Sequence, residues 1–175
     1  MKRVIPPVDF ASAIVEPAIE AATMISGKKR VVNTTARQGT QILSDKNLGY
    51  LVPTQKQRKN LVMAFVEQDM IVYGRAFDMA KLFEPVNLDD PADIKAKLDS
   101  IQLCEIKSTN KVNIGPDFRG YFFGLTAAEV LVAQSLKQQF KFVLVNTLTK
   151  HHLELGLSEM FGRAKGIYPT WSILL

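Results

Sequence analysis

Sulfur chemistry has almost nothing to work with in this chain. One cysteine, Cys104, stands alone among 175 residues, so no internal disulfide can close and no cysteine-rich zinc site can form. With no base placed beside it, Cys104 reads as a small core residue rather than a nucleophile. Only two histidines are present, His151 and His152. Neighbours on a strand point to opposite faces, and no second ligand pair stands at zinc spacing, so loop histidines are expected rather than a metal centre. A glycine-rich phosphate loop of Walker or Rossmann type is missing, as are internal repeats and low-complexity tracts. No window approaches the ~20 apolar residues of a membrane-spanning helix. The start Met1-Lys2-Arg3 is charged like that of a signal peptide, but Pro6, Pro7, Asp9 and Glu16 break the apolar run that should follow. A soluble, cytoplasmic protein with no membrane partner is the expectation.

The composition that remains is that of a folded domain. Hydrophobic residues make up 47% and charged residues 22%, enough apolar surface for a single domain over 1–175. The formal charge of +5 favours polyanionic partners without requiring one. A compact basic run, Lys28-Lys29-Arg30, reads as a solvated turn, with phosphate contact the sharper alternative.

Helix signals dominate the first half. Pro17 suits the first turn of a helix over about 11–26, stopped by Gly27. Residues 38–53 are ambiguous. Thr54 and Gln57 form a capping pair for a helix with Leu61, Val62, Phe65 and Val66 on one side. Met70, Tyr73, Phe77 and Ala80 continue at helical spacing towards Phe83, so 11–83 is expected to be mainly helical. Asp89-Asp90-Pro91 is a helix entry, with Ile94 and Leu98 inward. After 86 the pattern alternates between strands and helices. Strands are expected at 101–109, 121–125, 140–146 and the C-terminus, where Tyr168 and Trp171 read as a core anchor. Helices are expected from Thr126, whose partner in a capping box is Glu129, and at 158–164.

The stretch Ile101-Gln102-Leu103-Cys104-Glu105-Ile106-Lys107-Ser108-Thr109 carries the chemistry. Alternation puts Glu105 and Lys107 on one face of a strand, roughly 7 Å apart at the backbone. A carboxylate and an ammonium so placed can converge on a hard cation, a water and a phosphate oxygen. The bland alternative is a surface salt bridge of little consequence.

Glu105-Ile106-Lys107-Ser108-Thr109, followed by Phe122-Phe123-Gly124-Leu125-Thr126-Ala127-Ala128-Glu129 and the 142–146 strand, resembles the PD-(D/E)XK nuclease superfamily. The resemblance covers roughly residues 100–147. It implies an α/β fold, with a central mixed β-sheet flanked by helices as in restriction endonucleases. It also implies a Mg²⁺-dependent deoxyribonuclease, with Mn²⁺ as substitute, cutting the phosphodiesters of double-stranded DNA as a restriction-type endonuclease. Glu105 would hold the metal and Lys107 would orient or help deprotonate the attacking water. The family needs a second acid upstream, typically at the start of a neighbouring strand. Asp90, fifteen residues before Glu105, is the first candidate for that catalytic and metal-binding role, although it also reads as a helix cap. Asp93, Asp99, Glu84 and Asp117 are the alternatives.

A non-catalytic DNA-binding or regulatory module on the same fold is the rival reading, and a protein adaptor is the third. Cutting both strands takes two sites, so a homodimer is the default expectation for an endonuclease. Glu105 and Lys107 are expected to open onto one concave, solvent-reachable surface. Several of Lys28, Lys29, Arg30, Lys56, Arg58, Lys59, Arg119 and Lys141 are expected on the face that carries it.

Overall fold

The computed structural model describes residues 34–167. The helix expected over 11–26, the basic run Lys28-Lys29-Arg30 and the C-terminal strand with Tyr168 and Trp171 lie outside the described residues. The elements in chain order are α1 (Thr34–Asp45), β1 (Tyr50–Leu51), α2 (Gln55–Val66), β2 (Met79–Leu82), α3 (Pro91–Ala96), a 3-10 turn (Leu98–Ser100), β3 (Ile101–Thr109), α4 (Ala127–Leu136), a 3-10 turn (Lys137–Gln139), β4 (Phe140–Asn146), β5 (His152–Leu155) and α5 (Leu157–Arg163).

The strands form one five-stranded mixed sheet in the order β1-β2-β3-β4-β5. The first three make an antiparallel meander. β3 and β4 are parallel, from Leu103 opposite Phe140 to Thr109 opposite Asn146, and α4 lies on the crossover between them, as a parallel pair requires. β5 returns antiparallel to β4. The class is therefore α/β with a mixed sheet.

Each sheet face has its own apolar layer. On one face Leu43, Tyr50, Met79, Cys104, Ile106, Val143 and Val145 are buried together. Leu43 comes from α1, which approaches the sheet closely because Gly39 has no side chain. A Cβ at Gly39 would stand 3.2 Å from Cβ of Ser108 and 3.3 Å from Cγ2 of Ile106. The other face carries the larger core, in which Phe65, Phe77, Phe140 and Phe142 have essentially no exposed surface. Each such ring contributes about 1.5–3 kcal/mol by burial. Cys104 is buried in the first layer, as a lone core thiol should be.

Local signals held where a cap or a long apolar run defines an element. Thr54 and Gln57 form the capping box of α2. Thr126 and Glu129 do the same for α4, and Ile94 and Leu98 point inward from α3 and the turn after it.

Two expectations fail. The helix through Met70, Tyr73 and Phe77 to Phe83 does not exist. α2 ends at Val66, and Gln68 N–H and Asp69 N–H bond back to Phe65 O and Val66 O. Asp69 takes a left-handed backbone (φ +58°) that no helix interior accommodates. Phe77 and Ala80 are buried because the chain enters β2, while Tyr73 is exposed. The part expected to be mainly helical thus supplies β1 and β2 to the sheet. Residues 121–125 form no strand either. They alternate in exposure but pair with no strand of the sheet.

Candidate functional site

β3 positions Glu105 and Lys107 on the face that also carries Ile101 and Leu103, as alternation requires. The two side chains meet: Lys107 Nζ donates to Glu105 Oε1 at 3.0 Å. A third group completes the cluster. Glu129, in the first turn of α4, accepts from the same ammonium through Oε2 at 2.9 Å. That oxygen also accepts from Thr126 N–H at 3.0 Å, so one carboxylate caps a helix and tethers Lys107.

A fourth residue, Asp78, immediately precedes β2. The register pairs Met79 with Cys104, and one step further Asp78 stands opposite Glu105. Asp78 N–H donates to Cys104 O at 2.8 Å, and its Oδ2 accepts from Ile106 N–H at 3.1 Å. The side chain takes over the ladder where the strand stops, which fixes its carboxylate beside Glu105. Arg58 of α2 braces the same corner. Its guanidinium donates to Gly74 O at 2.8 Å, to Phe77 O and to Asp78 O at 3.2 Å, and it lies over the Phe77 ring at 4.4 Å.

The carboxylates of Asp78, Glu105 and Glu129 act on one another and on Lys107 and Arg58. Burial, then the charge of Asp78, pushes the Glu105 carboxyl up to about 9, with Glu129 adding to the shift and Lys107 opposing it. Burial disfavours the Lys107 ammonium, but Glu105 and Glu129 outweigh that and hold it above its ordinary value. The repulsion that Asp78 and Glu129 exert on Glu105, which is 8% exposed, is relieved by a proton on Glu105 or by an added cation. The donor set therefore fits a hard divalent cation on Asp78, just before β2, and Glu105 on β3. Among the described residues no group of three or more His, Cys, Asp and Glu is arranged to hold a metal ion, so the protein would supply two carboxylates rather than a closed cage.

Asp90 lies elsewhere. Its Oδ1 accepts from Ala92 N–H at 2.9 Å as the N-cap of α3, and Pro91 occupies the first helical position. The charges that act on Glu105 are those of Asp78, Lys107 and Glu129. Asp93 bonds Asn87 N–H and pairs with Lys97. Glu84 accepts from Ser100 Oγ, Asp117 caps a turn at Arg119 N–H, and Asp99 is exposed. Asp78 escaped notice because the helical spacing read across 70–80 concealed a strand, and an acid at a strand start was the signal to seek.

The opening to solvent is narrower than expected. Glu105, Lys107 and Glu129 side chains are only 10%, 13% and 8% exposed, because α4 covers one side. A depression of about 490 Å³ near the C-terminal ends of β3 and β4 is lined by Gln38, Gln41, Ile42, Asn110, Thr147 and Leu148, and includes none of the clustered residues. The basic residues do not gather as expected. Arg58 is turned inward, Lys141 is on the opposite sheet face with Cys104, and Lys56 pairs with Asp89. Lys59 and Arg119 are exposed. His151 is exposed, and His152 Nδ1 lies 2.9 Å from Lys46 Nζ. No described helix is long and apolar enough to cross a membrane.

Compared with protein-family models, curated proteins and solved structures, the chain matches none.

Proposed function

We propose that this protein is a Mg²⁺-dependent DNA endonuclease on a restriction-endonuclease-like fold, hydrolysing phosphodiester bonds in double-stranded DNA. The observation that carries the reading is the placement of Asp78, the residue before β2, beside Glu105 and Lys107 on the adjacent strand β3. That is the acid, acid and lysine set which the 105–109 motif implies, with Asp78 in the place first given to Asp90. The Glu105 strand, the Thr126-capped helix and the buried strand β4 follow one another as the resemblance implies, although the aromatic strand it also implies at 121–125 is missing.

Asp78 and Glu105 would hold the metal, which when bound activates water and neutralises phosphate charge. Lys107 acts as a charged orienting group rather than a base. Two carboxylates keep its ammonium protonated, and a compact point charge there stabilises the developing negative charge on phosphate. Glu129 holds that ammonium when Glu105 turns to a cation. Arg58 fixes the backbone that presents Asp78.

One observation favours the non-catalytic alternative. Lys107 already satisfies Glu105 and Glu129 with little solvent access, which is how a site that binds DNA without cutting it would be neutralised. Mn²⁺ titration by calorimetry, followed by nicking of supercoiled plasmid, separates the two. Metal binding with nicking supports the endonuclease. Salt-sensitive DNA binding with neither activity leaves a DNA-binding module.

A further inference from the structure

The depression at the C-terminal ends of β3 and β4 is a separate place on the molecule, lined by none of Asp78, Glu105, Lys107 and Glu129. Its two rims are built differently. On one side Gln38, Gln41 and Ile42 stand at positions i, i+3 and i+4 of α1, which is one face of that helix. Gly39 lets α1 sit close to the sheet there, since a Cβ at that position would lie 3.2 Å from Cβ of Ser108. On the other side Asn110, Thr147 and Leu148 follow directly on β3 and β4.

A fully buried asparagine fixes this second rim. Asn146 Nδ2 donates to Lys111 O at 3.0 Å and Ile114 O at 2.8 Å, and its Oδ1 accepts from Leu148 N–H at 3.1 Å. Thr147 N–H donates to Thr109 O at 2.8 Å. Both strand-end turns are held before any ligand arrives, which lowers the ordering cost of binding.

The lining is amide and aliphatic. The side-chain amides of Gln38 and Asn110 bond to no described residue, so each offers two donors and an acceptor. Each rim thus contributes one such amide and one aliphatic side chain, Ile42 from α1 and Leu148 after β4. A space of about 490 Å³ walled in this way suits a flat ligand with donors and acceptors on its edge. The framing segments 34–45, 109–113 and 146–151 contain Arg37, Lys111 and Lys150 against one acid, Asp45. Those three cations are exposed and form no ion pair with a described residue, whereas Gln41 Nε2 donates to Asp45 Oδ1 at 2.7 Å. The ligand is therefore anionic as well as flat.

A nucleotide within a strand has these properties when its base is unpaired and its edge and faces are free. We propose that the depression seats one unpaired nucleotide of a nucleic-acid strand. The base lies between Ile42 and Leu148 with its edge on the amides of Gln38 and Asn110, and Arg37, Lys111 and Lys150 follow the phosphates. The site needs neither metal nor cleavage, so it goes beyond the endonuclease reading.

The test uses the full chain in EDTA and fluorescence anisotropy with two probes. One is a DNA strand of about 12 nucleotides, within the usual span of single-strand sites, and the other is the same strand with every base removed. Wild type should bind the intact strand about tenfold more tightly, the worth of two net hydrogen bonds. Gln38→Met and Asn110→Ala should each lower that preference about threefold, and the double variant should bind both probes alike. Arg37→Ala, Lys111→Ala and Lys150→Ala should weaken both probes equally, each taking about 0.7 off the log–log salt slope. Circular dichroism checks that these exposed substitutions leave the fold intact. Equal binding of the two probes by wild type leaves phosphate attraction alone and overturns the proposal, as does a double variant that keeps the preference. Salt slopes unmoved by all three charge variants would also overturn it and give this face to another partner, such as an acidic peptide. Plasmid nicking in Mn²⁺ without a base preference would sink this site and spare the nuclease, whereas a base preference without nicking would do the reverse.

Discussion

Two glutamates on one sheet, Glu105 and Glu154, are driven in opposite directions. Glu105 on β3 faces two further acids, and its carboxyl is pushed up to about 9. Glu154 on β5 is half-buried, and its Oε1 accepts from Tyr50 OH at 2.5 Å and Lys81 Nζ at 2.8 Å. Burial raises it, and the bonds from Lys81 and Tyr50 pull it below its ordinary range. Tyr50 and Glu154 come from the outermost strands, so the sheet must curl over that face for them to touch. Burial alone does not mark a functional carboxylate. The sign of its neighbours separates the two: Lys81 and the Tyr50 hydroxyl serve Glu154, whereas Glu105 has the acids Asp78 and Glu129 beside it as well as Lys107.

The sharpest way to break this contrast is through activity. Asp78→Asn and Lys107→Ala should each lower plasmid nicking by about 10²–10³, the cost of removing one electrostatic stabiliser. Lys107→Ala should retain or strengthen Mn²⁺ binding, since it removes a cation beside the metal, while Asp78→Asn should weaken it. Lys107→Arg should not restore turnover, because a planar guanidinium replaces a point charge. Asp78→Asn with normal nicking would return the second acid to the other candidates.

The next effect is on pH-dependent stability, and the two glutamates have opposite signs. Glu105 binds its proton more tightly folded than unfolded, so its contribution to stability falls as pH rises from 4.5 to about 9. Glu105→Gln should therefore match wild type near about pH 5 and exceed it by a few kcal/mol near about pH 8 in metal-free denaturation. Mn²⁺ binding by wild type at about pH 7 should release close to one proton, read from calorimetry in buffers of different ionisation enthalpy. Glu154 contributes stability above the ordinary carboxylate pKa, and this is lost as pH falls through its depressed folded value. Glu154→Gln should cost about 1–3 kcal/mol at neutral pH by weakening bonds to Lys81 and Tyr50, without changing nicking.

The smallest effect tests the displaced candidate. Asp90→Ala should cost about 1 kcal/mol, the value of an N-cap, and leave nicking intact. A loss of turnover comparable to that of Asp78→Asn would place Asp90 in the chemistry after all.

Much of this was legible in the chain before folding. Short-range rules settled the caps at Thr54 and Thr126, the buried strand at 140–146 and the shared face of Glu105 and Lys107. Each needs only neighbours within a few residues. The rest required distant partners. Whether 70–83 is helix or strand depended on β3 being available as a ladder, and 121–125 found no ladder partner. Asp78 stands 27 residues before Glu105, so only register brings it into the site. Glu129 looked complete as a cap, and no local pattern says that its oxygen also serves Lys107. Residue types and alternation thus determined that a carboxylate and an ammonium would share a face. Tertiary structure decided which charges surround them, because that set is assembled from α2, β2, β3 and α4, and Coulomb interactions depend on distance in space rather than along the chain.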